Sequence, residues 1–336
     1  MESQSQHTHR SCSQVLVLRE PDSIWTFEAR PSILAHVGEL HEALTNAGYS
    51  VTPIEIESAA DLPRALASFH PCECVVFNWF EGFEPEARDG IEVTQQLDAM
   101  DFTYTGSGVL AWQNAQDKIR AKRLMRAHAI PTPRWQALCE ENLDDWSIYP
   151  AIVKVANDHG SEHLTFDSVV YDRNGLANRL GELERIGVSS LMVAEYIEGD
   201  EFTVALWGNG TLYALPLIRV DFSALAPGLP HIRTFDAKWD TDSEVYHAIK
   251  LESASGLSPE IQGRVERAAR AAYRAFGLRD YGRVDIRLRD GTPFVIDVNA
   301  NPDITSEGSF FAAARIGGYN YSGMLDRIVQ LAAERR

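Results

Sequence analysis

Apolar and polar residues repeat with two different periods along the first hundred positions. Residues 14–18, 51–56 and 72–78 are short apolar runs that predict strands. Residues 32–47 carry Ile33, Val37, Leu40 and Leu44 at steps of four, three and four, which is helical spacing, with Ser32 as N-cap and Gly48 just past the end. With a short helix between the second and third runs, this order predicts a βαβαβ layer on a parallel sheet, a Rossmann-like half-fold. The first strand runs into Arg19-Glu20-Pro21-Asp22. No glycine there lets a dinucleotide pyrophosphate approach the backbone, so nicotinamide dinucleotide binding is disfavoured.

A second region opens after Tyr104-Thr105-Gly106-Ser107-Gly108, where a long helical stretch carries Lys118 and stops at Ile130-Pro131-Thr132-Pro133. Residues 151–156, 191–196 and 201–207 read as strands, the last turning through Gly208-Asn209-Gly210 into a hairpin partner at 211–220. Residues 221–259 read as one long irregular segment, a candidate active-site loop because structureless connections beyond about 15 residues are usually functional. Ile261, Val265, Ala268, Ala272 and Phe276 then mark one helix face.

Residues 281–299 alternate on both arms of a hairpin. Val284, Ile286 and Leu288 are expected to share the apolar face with Phe294, Ile296 and Val298, given a three-residue loop or a bulge that Gly291 permits. Arg283, Asp285, Asp297 and Asn299 then collect on the other face, since a one-residue slip would bury them. Carboxylates on neighbouring strands repel unless a cation lies between them. A hard divalent ion on Asp285, Asp297 and the Asn299 carboxamide meets that need; a solvated face with an Arg–Asp pair is the alternative. The continuation Ala300-Asn301-Pro302-Asp303-Ile304-Thr305 sits just past a strand end, where α/β proteins present ligand groups.

Composition narrows the classes. At 336 residues, with 45% apolar and 24% charged positions, the chain is an ordinary globular protein of two or three domains. Its net charge of −17 disfavours nucleic acid and anionic membranes as partners and means that a polyanionic ligand needs a local basic pocket or a metal. No apolar run reaches the roughly 18 residues of a membrane span. The polar start, Met1 to Ser13, argues against a secretory signal, so a cytoplasmic location is expected. Cys12, Cys72, Cys74 and Cys139 form no Cys-x-x-Cys pair and read as idle thiols in a reducing compartment.

Tyr104-Thr-Gly-Ser-Gly108, Asp117-Lys118, Ile152-Val-Lys154, Glu195 with Gly199-Asp-Glu-Phe-Thr-Val204, Asp236-Ala-Lys238, Gly282-Arg-Val-Asp285 and Asp297-Val-Asn299 occur in a fixed order. From about Tyr104 onward the sequence resembles the ATP-grasp superfamily, and within it the D-alanine–D-alanine ligase-like group. The resemblance implies a mixed α/β and α+β, three-lobed ATP-grasp architecture. It would comprise an N-terminal Rossmann-like (pre-ATP-grasp) domain over 1–108, a central ATP-grasp lobe with a lid loop over 109–196, and a C-terminal lobe with the metal and catalytic residues over 197–336.

It further implies an ATP-dependent carboxylate–amine ligase that forms an amide through an acyl phosphate and releases ADP and phosphate. Lys118 and Lys154 would contact ATP phosphates. The loop 157–163 would be a lid, with backbone near Gly160 and Ser161 cradling the γ-phosphate. Glu195, Tyr196 and Ile197 would line the adenine pocket, and Glu201 would accept the ribose hydroxyls. Asp285, Asp297 and Asn299 would hold Mg²⁺, with Mn²⁺ as an alternative. Arg283 would stabilise the oxyanion, and Lys238 would close over the transferring phosphoryl group. Small carboxylates and amines are the implied partners, and a homodimer is compatible with them. A kinase, a ligase with a non-amine acceptor, and a non-catalytic ATP-binding regulatory module are the other readings.

The sequence departs from the group's pattern where substrate is recognised. Arg19-Glu-Pro-Asp-Ser-Ile-Trp25 replaces a Gly-rich loop bearing Ser and Glu, and Asn78-Trp-Phe-Glu-Gly82 replaces a His-Gly segment. Asp303 stands for a glycine and Trp239 for a tyrosine. The expectation is retained ATP chemistry with altered substrates, not a housekeeping D-alanine–D-alanine ligase. Glu81, Glu84 and Glu86 are either solvated or meet a cationic substrate. Trp25, Phe27, Trp79 and Phe80 either wall a pocket or pack in a core.

Overall fold

The apolar runs at the start of the chain form a parallel sheet of β1 (Gln14–Arg19), β2 (Ser50–Glu55) and β3 (Cys74–Asn78) in the order β2-β1-β3, with Leu16 opposite Thr52 and Val76. The computed structural model describes residues 13–22, 30–80, 89–138, 146–157, 161, 163–188 and 190–336. These fall into two compact units, Met1–Gly106 with Tyr319–Arg336, and Ser107–Gly318.

In the first unit Leu16, Leu18, Ile54, Val76, Val93, Leu97 and Phe80 make one core, so Phe80 packs rather than walls a pocket. Trp25, Phe27, Glu81, Glu84 and Glu86 lie outside the described residues. The C-terminal helix Tyr321–Ala333 belongs here and not with the rest of 197–336. It buries Met324, Leu325, Ile328 and Val329, Ser322 Oγ donates to the Ala43 carbonyl at 2.6 Å, and Tyr49 OH donates to Asp326 at 2.7 Å. Cys72 and Cys74 are not joined in a disulfide.

The second unit is built on two antiparallel sheets. The smaller runs β4-β7-β5-β6, from Trp135–Ala137, Leu191–Glu195, Ala151–Val155 and Val169–Val170 respectively. Its period-two pattern sends Ala151, Val153, Leu191 and Val193 to one core with the helix Arg173–Arg185, and Ile152, Met192 and Ala194 to the other face. The larger sheet runs β11-β10-β8-β12-β13, from Lys250–Ser253, Ile218–Asp221, Asp200–Trp207, Tyr281–Arg289 and Thr292–Asn299, with β9 (Tyr213–Ala214) also paired to β8. Phe202, Val204, Leu206, Val284, Ile286, Val295 and Val298 pack against the amphipathic helix Pro259–Phe276. Residues of the opposite parity are thereby freed for another task. Gly199, at φ +135° where the chain passes into β8, has no substitute, because a Cβ there would overlap the Leu288 carbonyl oxygen.

Three local readings change. The helical stretch around Lys118 is two helices, Val109–Gln116 and Lys118–Ala127, because Asp117 leaves the helical region and caps the second by accepting from the N–H groups of Ile119 and Arg120. Residues 221–259 are not irregular throughout: they hold the helices Asp236–Trp239 and Glu244–Ala248 and the edge strand β11. Short elements carry too few residues to reveal a period. The apolar face of β13 also differs from expectation, and that difference shapes the site. No helix among the described residues is long and apolar enough to cross a membrane.

Candidate active site

The β12–β13 hairpin closes with only two loop residues, Asp290 and Gly291, at φ +51° and +72°, as a type I′ turn requires. The extra residue lies inside β13 instead. Ile286 pairs with Val295 while Asp285 pairs with Asp297, so Ile296 is bulged. Val295, not Phe294 or Ile296, therefore reaches the core, and Ile296 joins the lining of a cleft. The bulge is pinned from outside the sheet: Val295 donates to the Pro131 carbonyl at 2.8 Å, and its own carbonyl accepts from Thr132 Oγ1 at 2.8 Å. Beyond it, Arg283, Asp285, Asp297 and Asn299 share one face, with Asp285 directly opposite Asp297.

Asp285 already has its cation. Arg283 grips it with Nε and NH2, both at 3.0 Å, Thr203 donates at 3.1 Å and Asn299 Nδ2 at 3.3 Å. Burial alone would raise the Asp285 pKa; the Arg283 charge and its hydrogen bonds, helped by Lys238 and Arg233, hold it below the ordinary value. The acid pair thus does not depend on a metal for Asp285, which corrects the expectation from repulsion alone. Asp297 accepts from the Val298 N–H through Oδ1, and Oδ2 has no partner among the described residues. No cluster of three or more His, Cys, Asp or Glu side chains suited to a metal occurs among the described residues.

The polar face of the larger sheet and the Ile152–Met192 face of the smaller one line an open cleft. Lys154, Ser161, Glu195, Tyr196, Ile197, Glu201, Lys238, Asp285 and Asp297 all line it. At one end Arg287, 3% exposed, holds Glu201 through Nε at 2.9 Å, donates to the carbonyls of Ile197 and His231, and lies over the rings of Tyr196 and Phe222. Arg289 pairs with Glu195 at 2.7 Å. At the other end Lys238 donates to Ser161 Oγ at 2.8 Å. Burial, then the charges of Arg233 and Arg283, bring the Lys238 pKa down to about 8. Lys122, 4% exposed, is brought to about 7 by burial and then by Lys154.

Arg283 and Asn299 reach this cleft through Asp285 rather than lining it. Lys118 does not line it; its N–H donates to the Ala156 carbonyl at the start of its helix. Gly160 lies outside the described residues. Sequence reasoning passed over Arg287, Thr203, Lys122 and Arg233. Strand parity offered Arg287, two residues beyond Asp285, and Thr203, two beyond Glu201; Lys122 and Arg233 carry no pattern of their own.

Residues 124–330 match the family model described as D-ala D-ala ligase C-terminus. A D-alanine–D-alanine ligase of Ralstonia nicotianae is 35% identical over 249 residues, 70% of this chain and 68% of the relative. One from Carboxydothermus hydrogenoformans is 28% identical over 310 residues, 88% and 92% of the two chains. The solved D-alanine–D-alanine ligase of Bacillus anthracis complexed with ATP superposes with a TM-score of 0.75 at 22% identity, covering 96% of this chain and 98% of that one, which supports the fold. A match over more than half the chain, joined to strands that bring the expected basic and acidic groups into one cleft, settles membership: the chain belongs to the D-alanine–D-alanine ligase family and is an ATP-dependent ligase of the ATP-grasp fold.

Proposed function

We propose that this ligase joins a carboxylate to an amine through an acyl phosphate, releasing ADP and phosphate, with substrates other than two D-alanines. The observation that carries the reading is one cleft lined by Lys154, Lys238 and the Asp297 carboxylate, with Arg283 locked on the lining Asp285. Such a field suits the movement of a phosphoryl group.

Glu195, Tyr196 and Ile197 line the adenine end, and Glu201, oriented by Arg287, offers its remaining oxygen to the ribose. Lys154 meets the phosphates as a point charge. Arg283 presents donors where negative charge gathers on the acyl group. The donor set fits Mg²⁺: among the described residues Asp297 Oδ2 has no partner, and Asn299, donating Nδ2 to Asp285, has its carbonyl oxygen left over. Asp285, Asp297 and Asn299 would hold the ion, which supplies charge neutralisation to the β- and γ-phosphates. Asp303, fixed by the Thr305 N–H at 2.9 Å, and the exposed Trp239 beside Lys238 support altered substrate recognition.

A screen of carboxylates and amines, D-alanine included, tests this by ADP release. With the best pair, ¹⁸O placed in the carboxylate is expected in the released phosphate. AMP as product, or ADP without ¹⁸O transfer, would sink the acyl-phosphate reading; D-alanine alone as the best donor and acceptor would sink the substrate reading.

The lysine environments give a second expectation. A depressed pKa means that the folded, ligand-free protein binds fewer protons than the unfolded chain above about pH 8, so this group makes stability rise with pH there. Phosphates reverse the shift by favouring the charged form. ATP binding should therefore take up protons between about pH 7 and about pH 9, read by calorimetry in buffers of different ionisation heat. Lys238→Met should remove the upper part of that uptake; uptake unchanged in the variant would refute the assignment.

A further inference from the structure

Arg233 is the one described residue of the cleft whose chemistry the site as built leaves unused. It lies between Ile232 and Thr234, each 4% exposed, and lines the cleft together with Ile232. It makes no hydrogen bond or ion pair among the described residues, and its Nε is buried without a partner. The residue as a whole is half-buried, so its buried Nε is the unsatisfied donor, and such a donor persists where a ligand completes it. The surrounding charges fix which ligand. Arg233 stands in the field of Arg283, Glu201, Asp285 and Asp303, and it also acts on Lys238, five residues on in the same segment. It is thus set between Glu201, at the ribose end, and the Arg283–Asp285 pair, at the reacting end. Arg233, Arg283 and Lys238 repel one another until an anion enters among them.

We propose, on the ligase reading above, that Arg233 is a catalytic residue that contacts the phosphoryl group as it passes from ATP to the substrate carboxylate, acting across that group from Lys238. In that step a carboxylate oxygen bonds to the γ-phosphorus and the bond from phosphorus to the bridging oxygen breaks. The electron pair leaves with ADP, and no proton is transferred. The planar fork of Arg233 spans two of the three non-bridging oxygens, which a lysine cannot do. ADP, lacking that group, leaves Arg233 unsatisfied.

The test compares full-length wild type, Arg233→Gln and Arg233→Lys by titration calorimetry with Mg²⁺ and either ADP or the imido analogue of ATP. Arg233→Gln is expected to weaken the analogue about tenfold or more, the scale of a charge-assisted hydrogen bond, with ADP changed less than about twofold. Arg233→Lys should recover part of the loss. Turnover in Arg233→Gln should fall about 10³-fold, as when an arginine leaves a phosphoryl-transfer site. Equal weakening of ADP and analogue, or an unchanged ratio between them, overturns the proposal. So does intact analogue binding with a raised KM for the carboxylate alone, which would make Arg233 a substrate-anion contact. Wild type that releases no ADP with any carboxylate defeats the ligase reading, while the analogue-to-ADP ratio still decides Arg233.

Discussion

Arg287→Met is expected to lose about 3–5 kcal/mol of folding stability, the range for stripping one partner from a buried ion pair. Arg287 and Glu201 are 4% and 10% exposed at their side chains and meet at 2.7 Å, so solvent screens little of the pair. The substitution also strands the carbonyls of Ile197 and His231, both of which accept from the guanidinium. Denaturant unfolding measures the loss, and adding Glu201→Gln should return part of it by removing the orphaned charge. A loss below about 1 kcal/mol would mean that Glu201 finds another partner or water. Nucleotide affinity should fall too, because the carboxylate at the ribose end is no longer aimed.

Arg283→Lys separates binding from chemistry. The variant keeps a positive charge beside Asp285 but not the two-point grip of Nε and NH2. Turnover should drop about 10²-fold or more, the effect of removing one oxyanion donor, with ATP affinity within about threefold of wild type. The residual rate should rise with pH through the acid range, because Asp285 loses much of what holds its pKa down and must still ionise. Collapse of ATP affinity with normal turnover at saturation would make Arg283 a nucleotide ligand instead.

Both variants touch residues on one strand face, yet only one of the two was apparent beforehand. Arg283 belongs to an ordered set of motifs, whereas Arg287 belongs to none. What buries it comes from afar, the Tyr196 and Phe222 rings and the His231 carbonyl, and no local pattern encodes that. The parallel sheet, the helix Pro259–Phe276 and the polar face of the β12–β13 hairpin were legible because each repeats a period over many residues. The bulge was not. Phe294, Val295 and Ile296 are all apolar, so either parity satisfies the hydrophobic pattern and only pairing with β12 decides between them. The short elements within 221–259 and the cap at Asp117 were hidden for want of length and by continuity of helix formers on both sides. Arg233 had no signal at all, being one basic residue in an aperiodic segment.

The bulged Ile296 carries a consequence for how the protein tolerates change. With one residue more in β13 than its partner strand answers, the hairpin has two ends of opposite phase: near the turn, odd-numbered residues of β13 face the helix, and past the bulge even-numbered ones do. The core and the reacting groups are thus kept in step by the pairing on either side of position 296, not by its chemistry. Side-chain exchange there need disturb only the wall of the cleft. Loss of the codon for Ile296 itself would only remove the extra residue, leaving Asp297 opposite Asp285 and Val298 opposite Val284 in plain alternation. At this one position the hairpin is therefore open both to substitution and to loss of the extra residue, while the pairing on either side of it stays fixed.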